Sequence, residues 1–239
     1  MFGRKLSQDK VDTTKHVHSF ARVTGDKYYG AHAKINVWAP HVENQEFSLA
    51  QIWVTSGPRN ELNTVEVGWQ VYPRIYGDSL PRFFIYWTAD VALGSPISPS
   101  STFNGEQIEI TLLIYKDQQN GNWWLEYESI AIGYWPSVLF THLKDSGSIV
   151  DFGGEVDTTL NGPHTSTQMG SGHFANEGFR KAAYFSNLQV VNSDNKLIPL
   201  SNPQFYPEQE NCYDIKGGFD NNVGNYFYYG GPGRNDKCT

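Results

Sequence analysis

Two glutamates sit in surroundings that set them apart from the other acidic residues. Glu66 lies in the run Thr64-Val65-Glu66-Val67-Gly68-Trp69-Gln70-Val71-Tyr72-Pro73. Strand alternation puts Val65, Val67, Trp69 and Val71 on one face, and Glu66, Gly68, Gln70 and Tyr72 on the other. A face of that composition reads as the floor of a polar cleft, with Gly68 leaving room beside Glu66 for a ligand backbone. Glu155 lies in Val150-Asp151-Phe152-Gly153-Gly154-Glu155-Val156. There Val150, Phe152, Gly154 and Val156 point one way, and Asp151, Gly153, Glu155 and Asp157 the other. Two glycines inside a strand weaken it, so a close backbone approach is expected at that point. Two carboxylates in one cleft cannot both ionise freely. One is driven to a raised pKa and can donate a proton, while the other stays ionised and can act as a base. Such a pair suits water-mediated hydrolysis at acid pH. Glu66 and Glu155 are 89 positions apart, so spacing alone does not join them, and each also reads as an ordinary solvated strand carboxylate.

The remaining candidates are weaker. Glu106, Glu109, Glu126 and Glu128 lie in or beside plain alternating strands and read as solvated faces; Asp145 and Asp157 sit near turns. The segment His164-Thr165-Ser166-Thr167-Gln168-Met169-Gly170-Ser171-Gly172-His173 is rich in hydroxyls and glycine. It reads either as a source of backbone N–H donors for an oxyanion or as a polar strand and turn. His164 and His173 lack metal-ligand spacing, and no nucleophile elbow is present. Trp69, Trp123, Trp124, Trp135 and the run Tyr226 to Tyr229 are either core or a substrate platform. Cys212 and Cys238, 26 positions apart, are either two free thiols or a disulfide; the bridge would add about 3 kcal/mol and imply an oxidising compartment.

These residues must be positioned by strands. Ala31, Ala33, Ile35 and Val37 alternate with polar and aromatic neighbours, and the same period recurs over 47–55, 63–72, 82–88, 107–115, 122–127, 130–135, 149–156 and 182–191. Ser56-Gly57-Pro58, Tyr76-Gly77-Asp78 and Gln119-Asn120-Gly121-Asn122 mark turns. One short helix is expected, opened by Pro136-Ser137 and closed by Asp145-Ser146-Gly147. Many evenly spaced strands with minimal helix give an all-β sandwich or barrel. Residues 1–18 read as a flexible N-terminal arm and 19–239 as one domain, with the Gly- and Tyr-rich stretch 216–233 packing back on it. The 239 residues carry a formal charge of −7, 15% aromatic and 18% charged residues. That balance excludes disorder and a coiled coil, and without a basic cluster it argues against nucleic acid as a partner. No apolar run reaches membrane-span length, and no signal peptide is visible after Met1.

Several motifs, taken in order, resemble the neprosin domain. They are Phe47-Ser48-Leu49-Ala50-Gln51-Ile52-Trp53-Val54, Glu66-Val67-Gly68-Trp69 with Tyr72-Pro73, and Phe84-Ile85-Tyr86-Trp87-Thr88. Next come Gly121-Asn122-Trp123-Trp124, Gly133-Tyr134-Trp135-Pro136, Gly153-Gly154-Glu155-Val156, Gln168-Met169-Gly170-Ser171-Gly172, and Tyr228-Tyr229-Gly230-Gly231-Pro232-Gly233-Arg234-Asn235 ahead of Cys238. The resemblance covers residues 17–238. It implies an antiparallel β-sandwich of two large sheets and a glutamic peptidase, of plant origin and secreted, that cleaves after proline at acid pH. Glu66 and Glu155 would be its catalytic pair, and Trp69, Gln70, Tyr72, Gly154, Gln168 and Ser171 would contact substrate. The expected partner is a proline-containing peptide or protein, met by a monomer with no cofactor, metal, nucleic acid or membrane; the inhibitory pro-domain usual in the family is expected to be absent from this sequence. One departure stands out. Thr88-Ala89-Asp90 runs straight into Val91-Ala92-Leu93-Gly94, where the family usually carries a further Cys-containing segment, about the length of a β-hairpin with its strands. Its loss is expected to leave an edge or to open the cleft. An inactive extracellular module binding cell-wall glycan or peptide is the alternative, with a paired-carboxylate glycoside hydrolase behind it.

Overall fold

A computed structural model describes residues 14–88, 90–159 and 164–239. The first sheet has seven strands in the order β13 (Gln204–Pro207), β1 (Thr14–Tyr28), β10 (Gly147–Thr159), β3 (Ser48–Ser56), β4 (Asn63–Val71), β5 (Arg82–Trp87) and β6 (Asp90–Pro96). The second has eight, seven of them in the order β14 (Asp214–Asp220), β15 (Gly224–Gly230), β11 (Ala183–Val191), β2 (Gly30–Asn36), β7 (Glu109–Lys116), β8 (Trp123–Tyr127) and β9 (Ile130–Trp135). A short β12 (Leu197–Pro199) pairs with β11. The pairings are antiparallel throughout, which makes the molecule an all-β sandwich. Its core is the set of alternating inward side chains the sequence predicts. Ala50, Ile52, Val54, Val65, Val67, Trp69, Val71, Val150, Phe152 and Val156 from one sheet are buried in one cluster with Ala31, Ala33, Ile35, Leu112, Phe185 and Phe227 from the other.

The structure corrects several expectations. Residues 14–18 belong to β1 rather than to a flexible arm, paired with β10 from Thr14↔Thr159 to Thr24↔Ile149; the rest of that arm lies outside the described residues. Val17 and Ser19 face the core, but His16 and His18 on the other side make the stretch read as uniformly polar. The helix after Pro136 is a single 3-10 turn, Ser137–Leu139. Beyond it the Asn63 side-chain carbonyl accepts from the backbone N–H groups of Thr141, His142 and Leu143, which holds the chain in a loop while Phe140 and Leu143 enter the core. A one-turn helix, α1 (Pro73–Tyr76), follows β4 and was not legible in the sequence.

The tail does more than pack back: β14 and β15 are full members of the second sheet, and Phe227 and Tyr229 are completely buried. Cys212 and Cys238 form a disulfide with Cα atoms 5.3 Å apart. The connection at Thr88 is a hairpin that pairs Trp87 with Asp90, leaving β6 as the edge strand. β4 is separated from that edge by β5, so the short connection does not interrupt the strands that carry Glu66 and Glu155. No helix among the described residues is long and apolar enough to cross a membrane.

Candidate active site

The register of three neighbouring strands builds the site. Across β10, β3 and β4, Glu155 pairs with Leu49 and Leu49 with Gln70; Gly153 pairs with Gln51 and Gln51 with Gly68; Asp151 pairs with Trp53 and Trp53 with Glu66. Directly paired residues share a face. Glu66 and Glu155 therefore stand on the same outer face of the first sheet, diagonally across β3, with Gln51 in the row between them. The Gln51 Nε2 amide donates to Glu155 Oε2 at 3.5 Å, and the Gln51 side chain is also hydrogen-bonded to Glu66. Its Oε1 is buried and has no partner among the described residues.

Both neighbours of Gln51 in its row are glycine, and the strand backbones require this. A Cβ on Gly68 would lie 1.9 Å from the carbonyl oxygen of Ala50, and one on Gly153 would lie 2.4 Å from that of Ser19. Gly68 thus answers to the close approach of β3 rather than to a ligand, which corrects the sequence reading. The consequence for the site is that Gln51 is flanked by no other side chain in its row.

β1 completes the surroundings of Glu155. Its carboxylate, 7% exposed, accepts from His16 Nδ1 at 2.5 Å and lies 3.6 Å from His18 Nε2. The other ring nitrogen of His18 donates to Glu208 Oε2 at 2.9 Å, and the His18 backbone N–H donates to the same oxygen at 2.9 Å. Burial alone would raise the pKa of Glu155. The hydrogen bonds and charges of His16 and His18 outweigh it and hold the group ionised, down at about 2. His18 shows the mirror image: burial would lower it, but Glu155 and Glu208 raise it to about 10. Glu66 makes no ion pair among the described residues, and the His18 charge is the least of the influences on it. Burial and then the nearby Glu155 charge push it up to about 8, against hydrogen bonds from Thr64 and Gln51. The two glutamates thus differ in charge across a wide pH range.

Glu66 opens into a cleft of about 350 Å³ lined also by His18, Phe20, Arg22, Trp53, Asp151 and Glu208. Arg22 is fixed by two 2.7 Å hydrogen bonds to Asp151 and lies over the Phe20 ring at 4.9 Å. The cleft therefore sets the aromatic rings of Phe20 and Trp53 beside Glu66, while Glu155 is not among the residues that line it.

The other site candidates from the sequence disperse. Trp69 is fully buried on the core face, and its indole N–H donates to the Asn36 carbonyl, so it is out of reach of a substrate. Gly154 also faces the core, against Tyr229 and Met169. Gln70 lies on the Glu66 face, with its amide held by the Tyr76 hydroxyl at 2.6 Å. Tyr72 packs against Phe47 near the end of that face, with ring centroids 5.4 Å apart. Gln168 is held through its Oε1 by the His41 backbone N–H, and Ser171 caps a local turn by accepting from the His173 N–H. Neither is hydrogen-bonded to the glutamates. Trp123 and Trp135 are core residues, whereas Trp124 pairs with Tyr134 on the second sheet. His164 lies close to Cys212 and Cys238, but both sulfurs are consumed in the disulfide.

Residues that sequence reasoning did not single out are Gln51, His16, His18, Arg22 and Glu208. A faint signal existed for each of the first four. Gln51 is the only amide in the apolar stretch Leu49-Ala50-Gln51-Ile52, and His16, His18, Phe20 and Arg22 alternate with Val17, Ala21 and Val23. Glu208 follows β13 and carried no pattern.

With this geometry in place, solved structures of the same fold can be set beside it. A scytalido-glutamic peptidase bound to a transition-state analog inhibitor aligns at 12% identity with a TM-score of 0.53, covering 91% of this chain and 98% of that one. A second scytalido-glutamic peptidase, with a peptide-based transition-state analog, aligns at 11% identity and a TM-score of 0.53 over 92% of this chain and 100% of that one. SCP-B, a member of the eqolisin family of peptidases in complex with the tripeptide Ala-Ile-His, gives 10% identity and a TM-score of 0.51 over 91% and 98%. At such identities the likeness establishes a shared fold, that of glutamic peptidases. The family model for neprosin matches residues 44–232, and the chain belongs to the neprosin family.

Proposed function

We propose that the protein is a glutamic endopeptidase in which Glu155 is the base and Glu66 the acid. The observation that carries this reading is two glutamates on one face, one held ionised and the other held protonated, joined through Gln51 beside a cleft of about 350 Å³ that Glu66 lines. In the proposed step, ionised Glu155 takes a proton from water as its oxygen bonds to the scissile carbonyl carbon. Protonated Glu66 hydrogen-bonds the carbonyl oxygen and then gives its proton to the departing amide nitrogen. The C–N bond breaks, one water is consumed, and proton exchange with solvent restores both carboxyls. Gln51, with one amide hydrogen toward Glu155 and a free buried carbonyl, is suited to orient the water and the tetrahedral intermediate.

Preference for cleavage after proline is the finer part of the proposal. Phe20 and Trp53 give the cleft flat apolar walls against which a pyrrolidine ring packs without exposing an N–H. A secreted setting fits the Cys212–Cys238 bridge. The test is cleavage of proline-containing peptides by the full chain, with product termini read by mass spectrometry. Cuts following proline support the full reading; cuts elsewhere retain the peptidase and reject the specificity.

A further inference from the structure

Glu208 sits well outside the strands that carry the two glutamates, yet it makes two of the hydrogen bonds that fix His18. Those bonds use one ring nitrogen and the backbone N–H, so the ring cannot turn and its other nitrogen stays directed at Glu155. His16 reaches the same carboxylate from two residues away, but its side chain is 43% exposed against 27% for His18. The pair is thus a sheltered cation on a short leash and a more solvated one beside it. Glu208 does not touch either catalytic glutamate through any hydrogen bond described for it.

We propose that His18, clamped by Glu208, is the positioning residue of this site: it holds the Glu155 carboxylate in place and ionised, and so fixes the lowest pH at which the site works. The inference deepens the peptidase reading and rests on it for its effect on rate. The charged and titratable groups around His18 are few. On β1 they are His16 and Arg22; on β10 they are Glu155, Asp151 and Asp157; on β4, Glu66; beside β13, Tyr206 and Glu208. β3 presents Trp53, with its ring 6.3 Å from that of His18, and no ionisable group to it. Arg22 is committed to Asp151, which leaves His18 and His16 as the cations able to act on Glu155. Removing the charge of His18 while keeping a hydrogen-bond donor should therefore raise the Glu155 pKa, since an opposite charge at this range shifts a carboxyl by about 1–3 units. Removing the charge of Glu208 frees the ring and should produce a smaller shift of the same sign.

The experiment uses the full chain with ¹³C-labelled glutamate side chains. The carboxyl signal of Glu155, assigned through Glu155→Gln, is titrated in the wild type, His18→Gln and Glu208→Gln, with peptide cleavage measured across pH in parallel. The inference expects the Glu155 midpoint to rise by about 1–3 units in His18→Gln and by less in Glu208→Gln. It also expects the acid limb of kcat to move up with it, because His18 acts through Glu155. An unmoved Glu155 midpoint in both variants overturns it, as does a change confined to KM. If His18→Gln fails to fold, Glu208→Gln, which leaves the ring in place, decides the matter. If no variant and no wild-type sample cleaves peptide, the peptidase reading fails while the titration still decides the role of His18.

Discussion

Glu66 and Glu155 have the same side chain and sit on the same face of one sheet, so what separates them is their neighbours. Glu155 lies beside β1, which brings two imidazoles to its carboxylate, whereas Glu66 is hydrogen-bonded to Thr64 and Gln51 and feels the charge of Glu155 more than that of His18. Two predictions belong at this scale. In the proposed mechanism activity requires Glu155 ionised and Glu66 protonated, so kcat/KM should rise as pH passes about 2, hold through the acid range and fall as pH passes about 8. A pH–rate profile checks both limbs. Gln51→Ala should lower kcat by about 10²–10³-fold with little change in stability, since it removes a hydrogen-bond donor and orienting group and leaves the glycine-flanked row empty; single-turnover kinetics beside thermal unfolding separates the two effects. That both glutamates stand apart from the other acidic residues was legible in the sequence because Glu-Val-Gly-Trp and Gly-Gly-Glu-Val are unusual strand compositions. Their difference was not. It depends on His16 and His18, which the chain contributes from a stretch whose polarity hides its alternation.

At the level of elements, the strands with one apolar face were readable to within a residue or two. β9 spans the 130–135 expected, and β4 ends one residue short of its predicted limit. The missed elements share a physical cause. β1 is polar outside and interrupted by serine within, β14 contains Gly217-Gly218, and β12 and β13 are three and four residues long. Each gains its strand conformation from a partner rather than from its own pattern. Glycine had a readable signal: the close backbone approach expected at Gly153-Gly154 holds at Gly153, whereas Gly154 makes room for Tyr229 and Gly68 serves the approach of β3 rather than a ligand. Gly154→Ala places a methyl 2.5 Å from the Tyr229 ring, and should destabilise the fold by about 1–3 kcal/mol, measured by denaturant unfolding, with activity falling as β10 shifts Glu155. Loss of the bridge in the Cys212→Ser, Cys238→Ser double variant should cost about 3 kcal/mol in the same assay, because a 26-residue separation in the tail is then unconstrained in the unfolded chain.

For the whole molecule, the charged groups of the site impose a pH dependence on folding. Glu66 is raised from 4.5 to about 8, so its contribution to stability is full below pH 4.5 and lost as pH rises through 8. His18 is raised from 6.5 to about 10 and behaves likewise, its contribution lost as pH rises through 10. Glu155 is lowered from 4.5 to about 2, so its contribution is present above pH 4.5 and lost as pH falls through 2. The three windows overlap best near pH 4.5, and the thermal midpoint of the full chain should therefore be higher near pH 5 than at pH 9, with Glu66→Gln reducing the difference. The proposed acid pair and the fold are thus expected to share one pH dependence, with stability highest where the pair has the charges the proposed hydrolysis needs. The most direct measurement is the rate of cleavage of a proline-containing peptide near pH 4 by the wild type, Glu66→Gln and Glu155→Gln, each shown to be folded. The account predicts measurable cleavage by the wild type and a loss of about 10²–10⁴-fold in kcat for each variant. A folded wild type that leaves the peptide intact, or a Glu155→Gln variant that cleaves as fast as the wild type, would contradict it.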